Sequence, residues 1–137
     1  MPTPRLQTRR HVVPLLAASL LAVLGACASA PPSHQAFVVF FDEWSASPPA
    51  EANAVLDRAA GAARAEANAK VTLIGFSDPD GSPEANRTLS RQRADNVADA
   101  LSARGIDPRR FVRIARGATE PTLAMVESRR VEIRIGE

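Results

Sequence analysis

Tyrosine is absent from this chain of 137 residues, tryptophan and cysteine occur once each, and histidine occurs twice. A lone cysteine permits no intramolecular disulfide, so covalent staples are excluded. Aromatic residues make up 4% and the formal net charge is only +2, which argues against nucleic-acid binding through a basic patch or stacking rings. The apolar run from Val12 to Gly25 spans about 14 residues and contains Pro14. A bilayer core needs roughly 20 apolar residues on a helix, so a retained transmembrane span is the weaker reading.

That run has another use. Arg5, Arg9 and Arg10 precede it and small residues follow it, so residues 1–26 read as an export signal. Leu24-Gly25-Ala26-Cys27 resembles the bacterial lipobox, which implies cleavage before Cys27, lipidation of Cys27 with acyl chains such as palmitate, and anchoring in a membrane. Ala28 stands where an inner-membrane retention aspartate would be, and by the same resemblance favours the cell outer membrane with the folded part in the periplasm. The alternative is an ordinary signal cut near Ala28 or Ala30, leaving a free or intermolecularly paired thiol. All 15 acidic residues lie beyond the signal and three of the 17 basic ones within it, so a processed chain carries 14 basic and 15 acidic residues, a net charge of −1.

Residues 27–36 read as the anchor and a short linker, with Pro31-Pro32, and residues 37–137 as one domain. The nine residues from Ala28 to Ala36, fully extended, reach at most about 30 Å, which keeps the domain near the membrane. Phe37 to Phe41 is a β-prone run suited to a central strand, and Ser47-Pro48-Pro49 looks like a helix start. Val55, Leu56, Ala59, Ala60 and Ala63 recur at helical spacing. A second strand, Val71 to Phe76, breaks at Asp78-Pro79-Asp80-Gly81, and Ser82-Pro83-Glu84 starts a helix that should run to about Arg104. Phe111 to Ala115 is a third strand, and Val131, Ile133 and Ile135 alternate with charge in a fourth that has one wet face. The order β-α-β-α-β-β predicts an α/β sandwich: one mixed sheet packed against two helices.

Arg93 interrupts this pattern. With Leu89, Val97 and Leu101 it forms a stripe of residues four apart, three of them apolar, so the helix turns a guanidinium toward the core. Such a group needs a carboxylate or a bound anion to answer it. Asp78, fifteen residues earlier at the end of the second strand, is the candidate.

The residues Phe40-Phe41-Asp42, Gly75-Phe76-Ser77-Asp78, Gly81, Asn86, Leu89-Ser90, Arg93-Ala94, Val97, Leu101, Gly105-Ile106 and Arg129-Arg130-Val131-Glu132 together resemble the OmpA-like C-terminal domain family. The resemblance covers Phe37 to Ile135. It implies non-covalent binding of peptidoglycan through meso-diaminopimelate, tethering the outer membrane to the cell wall, with no enzyme activity and no cofactor. The free end of diaminopimelate is a zwitterion, so its host must offer a fixed negative charge beside a planar donor fork. By resemblance Asp78 takes the ammonium and Arg93 the carboxylate. Ser77 and Asn86 complete the hydrogen bonds, Asp42 and Arg129 lie on the rim, and Leu89 forms an apolar wall. The family's usual Gly-His-Thr-Asp reads Gly75-Phe76-Ser77-Asp78 here, and its Asn-Arg-Arg reads Ser128-Arg129-Arg130.

Two other classes compete. Asp78 and Arg93 can be a purely structural ion pair in a module that binds envelope proteins, with Trp44 as an exposed anchor. An enzyme would have to recruit His34, the one histidine beyond the signal, or pair Asp78 with Asp42, Glu43 or Asp80. His34 sits in the linker, and turn or capping roles account for the acids.

Overall fold

The computed structural model describes residues 35–118 and 125–136. The expected signal, Cys27 and His34 lie outside the described residues. The elements are β1 (Gln35–Phe40), α1 (Asn53–Ala65), β2 (Val71–Ser77), α2 (Pro83–Ser102), β3 (Phe111–Ala118), α3 (Met125–Ser128) and β4 (Arg130–Ile135). The strands make one sheet in the order β1-β4-β2-β3, with β2 and β3 parallel and the other neighbours antiparallel. A parallel pair needs a crossover, and α2 supplies it.

Local chemistry sets the ends of α2. The Ser82 hydroxyl accepts from the Ala85 N–H at 3.1 Å, Pro83 occupies the first turn, and Gly105 follows the helix with φ +86°. Its inner face has two characters. Ala94, Val97, Ala98 and Leu101 are buried in the C-terminal half, whereas the buried residues of the N-terminal half are Asn86, Ser90 and Arg93. The apolar half packs with Leu56, Ala59, Ala60 and Ala63 of α1 over Leu73, Val131, Ile133 and Ile135 of the sheet. The polar half therefore lies over the end of β2, where the candidate residues are.

Four expectations need correction. The run from Phe37 is an edge strand, not a central one, because β4 lies between β1 and β2 and takes the central place; Phe40 is 45% exposed. It also starts two residues early, since Gln35 and Ala36 pair with Ile135 and Arg134 inside the expected linker. Finally, Pro49 leads into a single 3-10 turn, Ala50–Ala52, before α1 begins, and a third helix, α3, adds one turn between β3 and β4.

Gly75 fixes how closely α2 approaches. A methyl group there would sit 2.0 Å from the backbone oxygen of Ser90. Backbone cannot swing aside as a flexible side chain does, so Gly75→Ala has to push α2 off β2. We expect a loss of at least about 2 kcal/mol in unfolding free energy, measured by urea denaturation.

The outer face of β4 carries charge at alternate positions, as its periodicity predicts. Arg130 Nη2 and Arg134 Nη2 donate to the two oxygens of Glu132 at 2.8 and 2.9 Å, and the Arg130 guanidinium lies 4.0 Å from the Phe76 ring centre. Burial pushes the Glu132 pKa up, but the hydrogen bonds from Arg130 and Arg134 outweigh it, and the net shift is downward from 4.5. A depressed carboxylate stabilises the fold above its unfolded pKa and stops doing so as pH falls through the folded value. Glu132→Gln should therefore be less stable than the parent at pH 7, with the gap closing below about pH 4.5. Unfolding curves of both proteins across that range test this.

Candidate functional site

β2 delivers Ser77 and Asp78 to the mouth of the polar half of α2. Both are buried, Asp78 being 3% exposed. The ion partner of Asp78 is Arg129, whose Nη1 lies 3.5 Å from Asp78 Oδ2. Arg129 is itself fixed by the loop after β1: its backbone oxygen accepts from the Phe41 N–H at 2.9 Å, and its Nε donates to the Phe41 oxygen at 3.2 Å.

Arg93 is wholly covered, and its fork is spread over backbone oxygens. Nε donates to Ser45 at 2.8 Å, Nη1 to Phe76 at 3.0 Å and Nη2 to Asp42 at 3.1 Å. Its guanidinium carbon also stands 5.2 Å from the Phe41 ring centre. One side chain thus joins α2, β2 and the segment 42–45. A purely structural Asp78–Arg93 ion pair is overturned: the carboxylate pairs with Arg129, and Arg93 is held by carbonyl dipoles. Burial is the largest influence on the Arg93 pKa and lowers it, Asp78 raises it and Arg129 lowers it, and the net value is about 10. The group remains charged at neutral pH.

One negative and two positive charges therefore interact at this end of the sheet. Asn86 adds an unanswered acceptor. It is 1% exposed, and its Oδ1 has no hydrogen-bond partner among the described residues. A buried acceptor without a donor costs about 1 to 3 kcal/mol, which an arriving N–H would recover. Ser90 closes the far side, its hydroxyl accepting from the Gly117 N–H at 3.0 Å.

Two openings flank this charged floor. Asn86 shares a hollow of about 270 Å³ with Gly81, Arg87 and Arg116. Leu89, half-buried as expected of an apolar wall, lines a groove of about 450 Å³ beside Trp44. Asp78, Arg93 and Arg129 line neither opening. Asp42 is exposed at the rim, and what it contributes inward is its backbone oxygen. The structure thus brings Asp78, Arg93, Arg129 and the Asp42 backbone into one cluster, with Ser77, Asn86 and Leu89 around it.

Sequence reasoning missed three positioning residues. Ser45 and Phe41 hold and flank Arg93, and Gly75 sets the approach of α2. The glycine was visible in the strand, but only the close packing of α2 on β2 gives it a reason.

Three comparisons bear on identity. Over 104 residues the chain is 38% identical to the peptidoglycan-associated lipoprotein of Rhizobium meliloti, a match covering 72% of this chain and 59% of that relative's length. The crystal structure of the peptidoglycan-associated lipoprotein from Burkholderia pseudomallei superposes with a TM-score of 0.68 at 24% identity, covering 72% of this chain and 89% of that one, and shows the fold. The cell wall anchor of the T6SS from Pseudomonas aeruginosa superposes with a TM-score of 0.61 at 32% identity, covering 75% of this chain and 81% of that one. The OmpA family model matches residues 40–130, the stretch from the end of β1 to the start of β4 that contains the whole charged cluster, and the chain belongs to the OmpA family.

Proposed function

We propose that this protein binds peptidoglycan without cleaving it, gripping the zwitterionic end of meso-diaminopimelate at the Asp78 cluster. The observation that carries this reading is the cluster of buried Asp78 and Arg93 with half-buried Arg129, beside an Asn86 oxygen that has no partner among the described residues. Asp78 accepts the ammonium. The carboxylate falls to the guanidinium groups: Arg129 keeps 14% of its side chain exposed, and Arg93 has donors left after giving three of its five N–H groups to carbonyls. Asn86 Oδ1 accepts a ligand N–H, Ser77 adds polarity at the floor, and Leu89 covers the aliphatic chain. The segment 42–45 lies across Arg93, so direct contact of a ligand with that residue requires the segment to move aside.

A lipid on Cys27 would hold this domain at the outer membrane and make it a tether to the wall. Support comes from the lipobox-like tetrapeptide and from the peptidoglycan-associated lipoprotein among the relatives. Purified sacculi test the function. The domain should co-sediment with them, release no soluble fragments, and be displaced by free diaminopimelate. Fragment release would make it an enzyme, and failure to sediment would leave a protein partner as the ligand.

A further inference from the structure

The groove beside Leu89 is not needed for gripping a diaminopimelate head group, and its chemistry differs from that of the charged cluster. Six of the residues lining it are Trp44, Ser82, Glu84, Thr88, Leu89 and Gln92. Hydroxyl, carboxamide and carboxylate groups are present, and among the described residues no lysine or arginine lines it. A stem peptide rich in carboxylates finds no cation there and meets Glu84. A neutral ring bearing hydroxyl and acetamido groups finds hydrogen-bond partners and an aromatic surface.

Trp44 is positioned by its backbone conformation, one hydrogen bond and one ring contact. The chain's single tryptophan is 57% exposed, although a ring of this size usually gains by burial. Its backbone has φ +57°, a left-handed conformation that a bulky residue adopts only where the surroundings impose it. Its indole Nε1 donates to Glu43 Oε1 at 3.0 Å. Its outer ring edge rests over Gly81, where an added methyl group would lie 3.4 Å from Cη2 and 3.7 Å from Asn86 Oδ1. Gly81 has φ +94°, so the turn carrying it favours glycine on conformational grounds as well. The exposed ring therefore lies over Gly81, one glycine away from the Asn86 amide.

We propose that Trp44 and the groove along the first turns of α2 form a subsite for an N-acetylated sugar of the glycan strand. The protein then reads the wall at two points, the stem peptide at Asp78 and the sugar at Trp44. This rests on the peptide-binding reading above, since the sugar is presented by the same muropeptide. The apolar face of the sugar ring lies on the indole, and its hydroxyl and acetamido groups meet Ser82, Thr88 and Gln92.

The test compares two ligands, the tripeptide L-Ala-γ-D-Glu-meso-diaminopimelate and the same tripeptide carrying its disaccharide. Binding is followed calorimetrically and by emission of the single tryptophan. The parent should bind the disaccharide form about tenfold more tightly, as a stacked and partly desolvated ring predicts, and only that form should shift the emission. Trp44→Ala should bring the two affinities together while leaving the tripeptide affinity unchanged, and Trp44→Phe should retain part of the preference. Equal affinity of the parent for both ligands overturns the sugar subsite and leaves the peptide site standing. Binding of neither ligand overturns both. If Trp44→Ala also loses the tripeptide, the residue is a prop for the 42–45 segment and the subsite is rejected.

Discussion

Arg93→Met is expected to lower the unfolding free energy by about 3 to 5 kcal/mol, because it strips the donor from three backbone oxygens at once. Methionine replaces the aliphatic stem, so little packing is lost and the effect reports the fork itself. The carbonyls of Ser45, Phe76 and Asp42 belong to two different segments, both of which this one guanidinium ties to α2. Some of the cost is recovered where water reaches the freed oxygens. Against a typical domain stability of about 5 to 15 kcal/mol, the variant should still fold in the cold but melt early. Thermal and urea unfolding measure this. A loss below about 1 kcal/mol would mean that water serves those carbonyls as well as Arg93 does. Sacculus binding by this variant should fail too, but that failure alone proves nothing about ligand contact.

Asp78→Asn separates contact from folding. The amide has the same shape and keeps an oxygen for Arg129, but it offers the ligand ammonium no negative charge. A hydrogen bond to a charged group is worth about 1.5 to 3 kcal/mol, so affinity for a diaminopimelate peptide should fall by roughly a hundredfold. Stability should fall less, because Arg129 retains its bonds to Phe41 while losing only a 3.5 Å ion pair. Calorimetric titration of parent and variant, with circular dichroism to verify the fold, checks both halves. Unchanged affinity in a folded variant would remove Asp78 from the site.

Much of this was legible in the residues. The stripe Leu89, Arg93, Val97 and Leu101 announced a buried guanidinium, and burial of Arg93, Val97 and Leu101 follows from helical geometry alone. The alternation in β4 gave its buried face correctly, because a strand's two sides are fixed by a period of two. Strand order was less legible. Nothing in Phe37 to Phe41 distinguishes an edge from a centre, since that depends on where β4 inserts, ninety residues later in the chain.

The partner of Arg93 was hidden for a similar reason. Spacing brings Asp78 and Arg93 to the same end of the sheet, but the carboxylate is taken by Arg129, which arrives from the other end of the sequence. Backbone oxygens of Asp42 and Ser45 carry no signature in side-chain identity, so a fork spent on carbonyls cannot be seen in a motif. Trp44 was legible as an unusual residue, but its exposure was not. Its exposure depends on the left-handed backbone at that position and on the room left by Gly81.

The central claim is that opposite charges at Asp78 and the Arg93–Arg129 pair together recognise a zwitterion. It is tested most directly by titrating the protein with two tripeptides that differ in the third residue, meso-diaminopimelate in one and L-lysine in the other. Lysine keeps the ammonium and lacks the terminal carboxylate. The account predicts saturable binding of the diaminopimelate peptide and binding of the lysine peptide weaker by about tenfold to a hundredfold, the worth of charge-assisted bonds to a carboxylate. Equal affinities would contradict it.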